Sequence, residues 1–215
     1  MRRAMLALLC VSLVPSAAHA DQPIQPGAQI QFGGNLCTMN FIFTGGGKTY
    51  VGTAGHCTRV NQRARSSSGE FGTVRFQRDN EDLDFALVEV DAAQTGQVDP
   101  TVRGFGAVHG ASEPSETRTL DEVFVHGYGV GVGSFAQTRS RSGVMMQDNT
   151  EWYTANMPAV NGDSGGPVVH VPTGKALGIV SVYGFTYGHP ATDRGPTVAH
   201  ILATLRAEGF AVSLA

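Results

Sequence analysis

Short runs of β-branched, aromatic and apolar residues recur along this chain, and glycine, asparagine, aspartate or serine separates them. The runs at residues 37–43, 49–54, 72–76, 85–90, 122–125, 152–157, 167–171 and 176–183 carry the residue types that fit a pleated, half-buried surface. They predict strands. Many short strands joined by glycine-rich turns point to a sandwich or barrel. One segment has clear helical spacing: Val198, Ile201, Leu202 and Leu205 fall on one face at i, i+3, i+4 and i+7, with Pro196 near the start and Gly209 beyond the end. Residues 111–117 are polar and without period, so they predict a structureless linker dividing the chain into two similar halves. The halves show no sequence repeat.

The N-terminus reads differently. Arg2 and Arg3 precede an apolar run from residue 4 to residue 14, and Ala18-His19-Ala20 puts small residues at the cleavage positions. This is the pattern of a secretory signal peptide, residues 1–20, removed before Asp21; the run is too short to span a membrane. Bulky Leu9 before Cys10 argues against lipid attachment there. No later segment is apolar enough to cross a bilayer, so a soluble protein is expected outside the cytoplasm, extracellular or periplasmic. Processing shortens 215 residues to 195 and removes two of 15 basic groups, leaving 13 against 18 acidic ones, a net charge of −5. A mildly acidic chain with no basic run argues against nucleic acid and anionic membrane as partners. The length suits one large domain or two small ones.

Of the three cysteines, Cys37 and Cys57 survive processing. In an exported chain an isolated pair most simply forms one disulfide, worth roughly 3 kcal/mol for a loop of this size in the chain-entropy picture. A catalytic thiol or a metal pair is the alternative, and no Cys-x-x-Cys spacing supports either. The run Gly127-Tyr128-Gly129-Val130-Gly131-Val132-Gly133 never satisfies G-x-G-x-x-G and precedes no helical pattern, so it does not predict a phosphate cradle.

Three stretches carry chemistry. Thr53-Ala54-Gly55-His56-Cys57 ends a β-rich run with a histidine, and Gly162-Asp163-Ser164-Gly165-Gly166-Pro167 flanks a serine with small residues. Between them, Asp82-Leu83-Asp84 puts carboxylates at the mouth of the apolar run 85–90. A serine hydroxyl needs a base to take its proton as it attacks. His56 is the candidate base, and Asp84 the group that would fix its tautomer and stabilise the imidazolium. The backbone N–H groups of Gly162 and Ser164 are the candidate oxyanion donors. Taken singly, a histidine at a strand end is most often a satisfied polar group and an aspartate before a strand a turn residue. Histidine, aspartate and serine in this order weigh more than each alone.

The pattern T-A-G-H-C, D-x-D-F-A-L-V and G-D-S-G-G-P resembles the chymotrypsin-like serine peptidases. The opening Gly33-Gly34-Asn35-Leu36-Cys37-Thr38-Met39-Asn40-Phe41 and the closing Pro196 helix resemble the compact bacterial streptogrisin and α-lytic type. The likeness runs from about Gly33 to the C-terminus. It implies an all-β fold of two antiparallel six-stranded Greek-key barrels with a C-terminal helix, the active site lying in the cleft between them. The first barrel, in residues 21–112, would carry His56 and Asp84. The second, in 113–215, would carry Ser164, the oxyanion hole and the substrate pocket. The resemblance also implies the Cys37–Cys57 bridge, Asp84 rather than Asp82 as the triad acid, and a structural ion pair between Asp163 and an internal arginine, Arg141 (or Arg139). It places Pro158, Ser181, Val182 and Tyr183 at the substrate pocket, with Ser181 also set to hydrogen-bond Asp84. With no acid evident at the pocket base a basic side chain before the scissile bond is disfavoured and an apolar one favoured, Asp193 being the one carboxylate whose direction is open.

The chain departs from the family in two ways: only a short segment separates Ala20 from Gly33, and no cysteine follows Cys57. The expected activity is endopeptidase hydrolysis through an acyl-enzyme by a monomer. Proteins, peptides and proteinaceous peptidase inhibitors are the expected partners, and neither metal nor organic cofactor is implied. Two alternatives remain: a catalytically silent homologue serving as a binding module, and a serine esterase, since residues 162–166 also satisfy G-x-S-x-G. The esterase elbow requires a helix after the serine, where this sequence reads as strand. The remaining histidines, His109, His126, His170, His189 and His200, are scattered without a zinc-binding spacing.

Overall fold

In the computed structural model, residues 23–129, 139–186 and 189–215 are described, those at 182–186 and 189–191 by backbone alone. The expected signal peptide and the glycine run from Val130 onward lie outside the described residues. The first sheet is built from β1 (Gln29–Phe32), β2 (Asn35–Thr38), β3 (Ile42–Gly45), β4 (Lys48–Thr53), β5 (Arg63–Ser66), β6 (Gly69–Asp79) and β7 (Asp84–Val90). The second holds β8 (Glu122–His126), β9 (Ser140–Asp148), β10 (Trp152–Asn156), β11 (Pro167–His170), β12 (Lys175–Ile179), β13 (Val182–Thr186) and β14 (His189–Pro196). Helix α1 (Val198–Ala207) follows, and β15 (Ser213–Leu214) returns to pair with β3. All strand pairings within both sheets are antiparallel.

The order in the first sheet is β15-β3-β4-β7-β6-β5-β1-β2, and in the second β12-β11-β8-β9-β10-β14-β13. Short ladders such as β2 and β15 bring the sheets to eight and seven strands, where six per barrel were expected. Neither order follows the chain, as Greek-key connections require. This is the two-barrel chymotrypsin-like fold. β15 crosses the division expected at residues 112 and 113, being last in sequence yet part of the first sheet.

One apolar cluster fills the first half and another the second. A third joins them: Phe43, Phe85 and Leu87 of the first sheet meet Ile179 of the second with Ile201 and Leu205 of α1. Burying each of these apolar side chains fully contributes about 2 kcal/mol. α1 begins where the Thr197 hydroxyl accepts from the N–H of His200 at 3.1 Å and ends before Gly209, at φ +87°. The helix thus fastens the C-terminus across both halves.

Four local expectations are revised, the first being that residues 176–183 divide between β12 and β13, with Val180 and Ser181 between them. Residues 37–43 form two strands, β2 and β3, because the N–H of Asn40 turns aside to the carbonyl of Gly52 at 2.8 Å. Residues 111–117 are not structureless. Ser112 is buried with its N–H on the carbonyl of Ala176 (2.8 Å), and Pro114–Glu116 is a 3-10 turn closed by Glu113 and Glu116 capping each other. β9 had no counterpart in the sequence pattern, since its residues are largely polar and mostly exposed or half-buried.

Candidate active site

Asp84 owes its place to the β6–β7 hairpin. The Asn80 side chain accepts from the N–H groups of Asp82 (3.1 Å) and Leu83 (3.0 Å), a turn that asparagine forms readily, and Asp79 pairs with Asp84 across the ladder. Asp84 is therefore buried, whereas Asp82 is exposed. His56 stands on a short 3-10 turn after β4 that is held from four directions. Its N–H donates to Asp84 Oδ1 at 2.9 Å, and Gln77 Nε2 donates to the carbonyl of Gly55 at 3.1 Å. Asn35 Nδ2 donates to the carbonyl of Cys57 at 3.2 Å, and Cys57 is joined to Cys37 by a disulfide.

The imidazole Nδ1 lies 2.8 Å from Asp84 Oδ2, which also accepts the Ser181 hydroxyl at 2.5 Å. That hydrogen bond is the largest influence on His56 and raises its pKa above 6.5; partial burial opposes it, and the charges of Asp84 and Asp79 add to it. For Asp84 burial is the largest influence and would raise it. The hydrogen bonds from His56 and Ser181 and the imidazole charge outweigh burial and hold the carboxyl below its usual range. Among the described residues Nε2 of His56 has no hydrogen-bond partner.

Ser164 is tied to the end of the first sheet through its neighbours. Gly165, at φ +87°, packs so closely on the end of the first sheet that a Cβ there would lie 2.5 Å from the carbonyl oxygen of Thr38 and 2.7 Å from the N of Ala54. Thr38 joins the halves. Its N–H donates to the carbonyl of Ser164 (2.9 Å), and its hydroxyl donates to the carbonyl of Gly162 (2.7 Å) while accepting from the N–H of Tyr128 (2.9 Å). Gly162 adopts φ +98°, a conformation that favours glycine. The N–H of Asp163 is used by the carbonyl of Val160 at 3.0 Å. Those of Gly162 and Ser164 donate to no acceptor among the described residues.

Asp163, with none of its side chain exposed, accepts from the N–H groups of Gly129 (2.8 Å) and Val160 (2.9 Å) and pairs with Arg141 Nη2 at 2.5 Å. Arg141 also donates to the carbonyls of Pro158 and Arg139, while the Arg139 guanidinium lies 4.8 Å from the Tyr128 ring centre. Pro158 is exposed. Asp193 does not face the cleft: it is fully buried against the Tyr153 hydroxyl, 3.2 Å away. The side chains of Val182 and Tyr183 lie outside the described residues. Thr38 was missed by sequence reading, because nothing but its place beside Cys37 sets it apart.

His56 separates two cavities, of about 670 Å³ toward Asp84, Ser181 and Trp152 and about 500 Å³ toward Asn35, Thr58 and Arg59. Sulfur and nitrogen atoms of Cys37, Cys57 and His56 lie within 4.8 Å of one another, but the disulfide commits both sulfurs. After Ser164 the chain enters strand β11, not the helix that an esterase elbow needs.

Two β-barrel halves meeting at such a cleft define a bacterial serine protease fold of the chymotrypsin type. Residues 39–179 match the trypsin-like peptidase domain, and the chain belongs to that family. Over 200 residues it is 26% identical to the uncharacterized protein Rv1815 of Mycobacterium tuberculosis, covering 86% of this chain and 84% of that one. Thermobifida fusca Protease A is similar in structure at a TM-score of 0.68 and 25% identity, over 89% of this chain and 97% of that one. A glutamic acid-specific serine protease described as using a histidine triad in substrate binding aligns at a TM-score of 0.69 and 22% identity, over 89% and 100%. Nocardiopsis Protease gives 0.68 at 20%, over 89% and 98%.

Proposed function

We propose that this protein is an exported serine endopeptidase that cleaves proteins or peptides through an acyl-enzyme. In this reading Ser164 Oγ attacks the carbonyl carbon while His56 Nε2 takes its proton, and Asp84 steadies the imidazolium without itself becoming protonated. The Gly162 and Ser164 N–H groups receive the oxyanion, each worth about 3 kcal/mol of barrier. His56 then gives the proton to the departing amine, and water repeats the cycle on the ester. The reaction needs neither metal nor organic cofactor. The observation that carries the reading is an imidazole oriented at Nδ1 and uncommitted at Nε2, two residues on from Ala54, against which the glycine after a serine flanked by uncommitted N–H groups is packed.

Substrate placement follows from the sheet. Among the described residues β13 is an edge strand directly after Ser181, so its outer backbone is offered to an extended peptide adding as a further strand. The acyl half of the substrate lies there, and the leaving half lies on the far side of His56. With Asp193 turned away, an apolar residue before the scissile bond is preferred to a basic one. A monomer secreted after loss of residues 1–20 would use this cleft for substrates and proteinaceous inhibitors alike.

The test is fluorophosphonate labelling of the purified secreted protein, read by intact mass, against Ser164→Ala and His56→Ala. Stoichiometric labelling of the wild type alone, with peptide hydrolysis exceeding ester hydrolysis in specificity, supports the reading. Absence of labelling in a folded, disulfide-bonded chain overturns it in favour of a silent binding module. The same mass locates the mature N-terminus.

A further inference from the structure

The smaller cavity beside His56 differs in charge from the larger. Asn35, Thr58, Asn61 and Gln62 line it with uncharged polar groups, and apart from His56 its one ionisable group is Arg59. Arg59 makes no ion pair among the described residues, whereas Arg63, Arg65, Arg75, Arg78 and Arg141 each do. Its backbone is nonetheless fixed. Gln62 Oε1 accepts from the N–H of Arg59 at 3.2 Å and from the Thr58 hydroxyl at 3.0 Å, and the N–H of Gln62 returns to the carbonyl of Arg59 at 3.1 Å. Asn61 completes the turn at φ +67°, a conformation its short polar side chain tolerates. A fixed turn therefore carries an exposed arginine, without an ion pair among the described residues, on the lining of a cavity that begins at the imidazole.

The larger cavity has the opposite sign. Asp79, Glu81 and Asp82 rim it, all exposed, and its one arginine, Arg194, lies over the Trp152 ring at 4.4 Å. A peptide crossing His56 thus passes from an acidic side to a basic one.

We propose that Arg59 makes the leaving-group side of the cleft select a carboxylate within the first two residues after the scissile bond. The carboxylate is an aspartate or glutamate side chain, or the terminal carboxylate of a short leaving segment. A guanidinium forks onto either in the same way, with two parallel N–H donors. The same group on the acyl side would meet Asp79, Glu81 and Asp82, so selection works by repulsion as well as by attraction. The inference rests on the cleft being a peptide-binding site as proposed above. An exposed ion pair gives at most about fivefold in affinity and weakens as salt rises.

The experiment uses the full secreted chain in two arms. In the binding arm a mixed peptide library is passed over immobilised Ser164→Ala protein and over Ser164→Ala carrying Arg59→Gln or Arg59→Glu, with Arg65→Gln as the control. Folding is checked by Tm. Acidic peptides retained several-fold by the first protein, not by Arg59→Gln, and replaced by basic ones on Arg59→Glu are the expected result. Equal retention by all three overturns it. In the cleavage arm, wild-type cuts in internal, C-terminally amidated sequences and in peptides ending two residues after the cut separate side-chain from terminal carboxylate. Enrichment at neither position also overturns it. If the wild type cleaves nothing, the peptidase reading fails, and retention on the Ser164→Ala protein still decides the role of Arg59.

Discussion

The Tyr153 hydroxyl lies 3.1 Å from the carbonyl oxygen of Ile179 and 3.2 Å from Asp193 Oδ2, and it has one proton to donate. Both residues are fully buried. Burial pushes the Asp193 carboxyl well above its ordinary value. The hydrogen bonds from Tyr153 and the Arg194 N–H and the charge of Arg141 act the other way without reversing it, and the Asp163 charge reinforces it. Were the acid neutral, its own proton could go to the tyrosine oxygen and the tyrosine proton to Ile179. Asp193 faces Tyr183 of β13 and Ala155 of β10 across the ladder, so this buried contact supports the strand at the cleft edge.

Stability should therefore depend on pH through Asp193 in a definite direction. A folded-state pKa above the unfolded one gives stabilisation that is complete below about pH 4, where both states hold the proton. It declines as pH rises toward the folded value, by at most about 1.4 kcal/mol per pH unit. Asp193→Asn keeps a donor for Tyr153 and does not titrate. In urea unfolding from about pH 5 to about pH 9, the variant is expected to gain on the wild type as pH rises. Parallel curves would mean that Asp193 is ionised in the folded chain.

His56 makes a separate prediction for activity. Its pKa is raised above 6.5 by the hydrogen bond to Asp84, against partial burial, with the charges of Asp84 and Asp79 adding to the rise. A general base works when neutral, so the acid limb of kcat/KM should lie above 6.5. Asp79→Asn removes one raising charge and should move the limb down without abolishing activity. Asp84→Asn should cost roughly 10⁴ in kcat, since it no longer selects the tautomer. A limb at an unperturbed value, unmoved by Asp79→Asn, would dissociate His56 from the rate.

The sequence carries the parts of the candidate site that depend on short contiguous motifs. His56, Asp84 and Ser164 each sit in a local pattern whose glycines and apolar neighbours fix the backbone, and α1 shows its buried face at helical spacing. What it hid depends on pairing between distant segments. Arg139 and Arg141 are two apart and share parity on a strand, so only the depth of Asp163 beneath the cleft separates them. A one-residue shift of register turns a strand residue to the other face, so nothing local showed whether Asp193 points into the cleft or into the core. Residues 111–117 are polar enough to read as a linker, and Ser112 is buried there only because its N–H joins the carbonyl of Ala176.

The Arg141–Asp163 pair bears directly on the N–H groups proposed as oxyanion donors. Asp163 lies between Gly162 and Ser164, and its buried carboxylate is satisfied by Arg141 and by the N–H groups of Gly129 and Val160. Removing the arginine leaves a buried charge without its partner, a change that typically costs about 3–5 kcal/mol. The cheaper response is for residues 160–164 to swing the carboxylate toward water, and that motion misaligns the two N–H groups. Arg141→Ala should therefore lower Tm and reduce the rate of fluorophosphonate labelling by about 10²–10³, the range found when an oxyanion donor is lost. Arg141→Lys keeps the charge but cannot reach Asp163, Pro158 and Arg139 together, so an intermediate rate is expected. Exchanging both partners, Arg141→Met with Asp163→Asn, should recover Tm more fully than labelling, because burial then carries no charge while the loop has lost its anchor. If Arg141→Ala is destabilised yet labels at the wild-type rate, the pair holds the second barrel together and has no part in aligning the donors at Ser164.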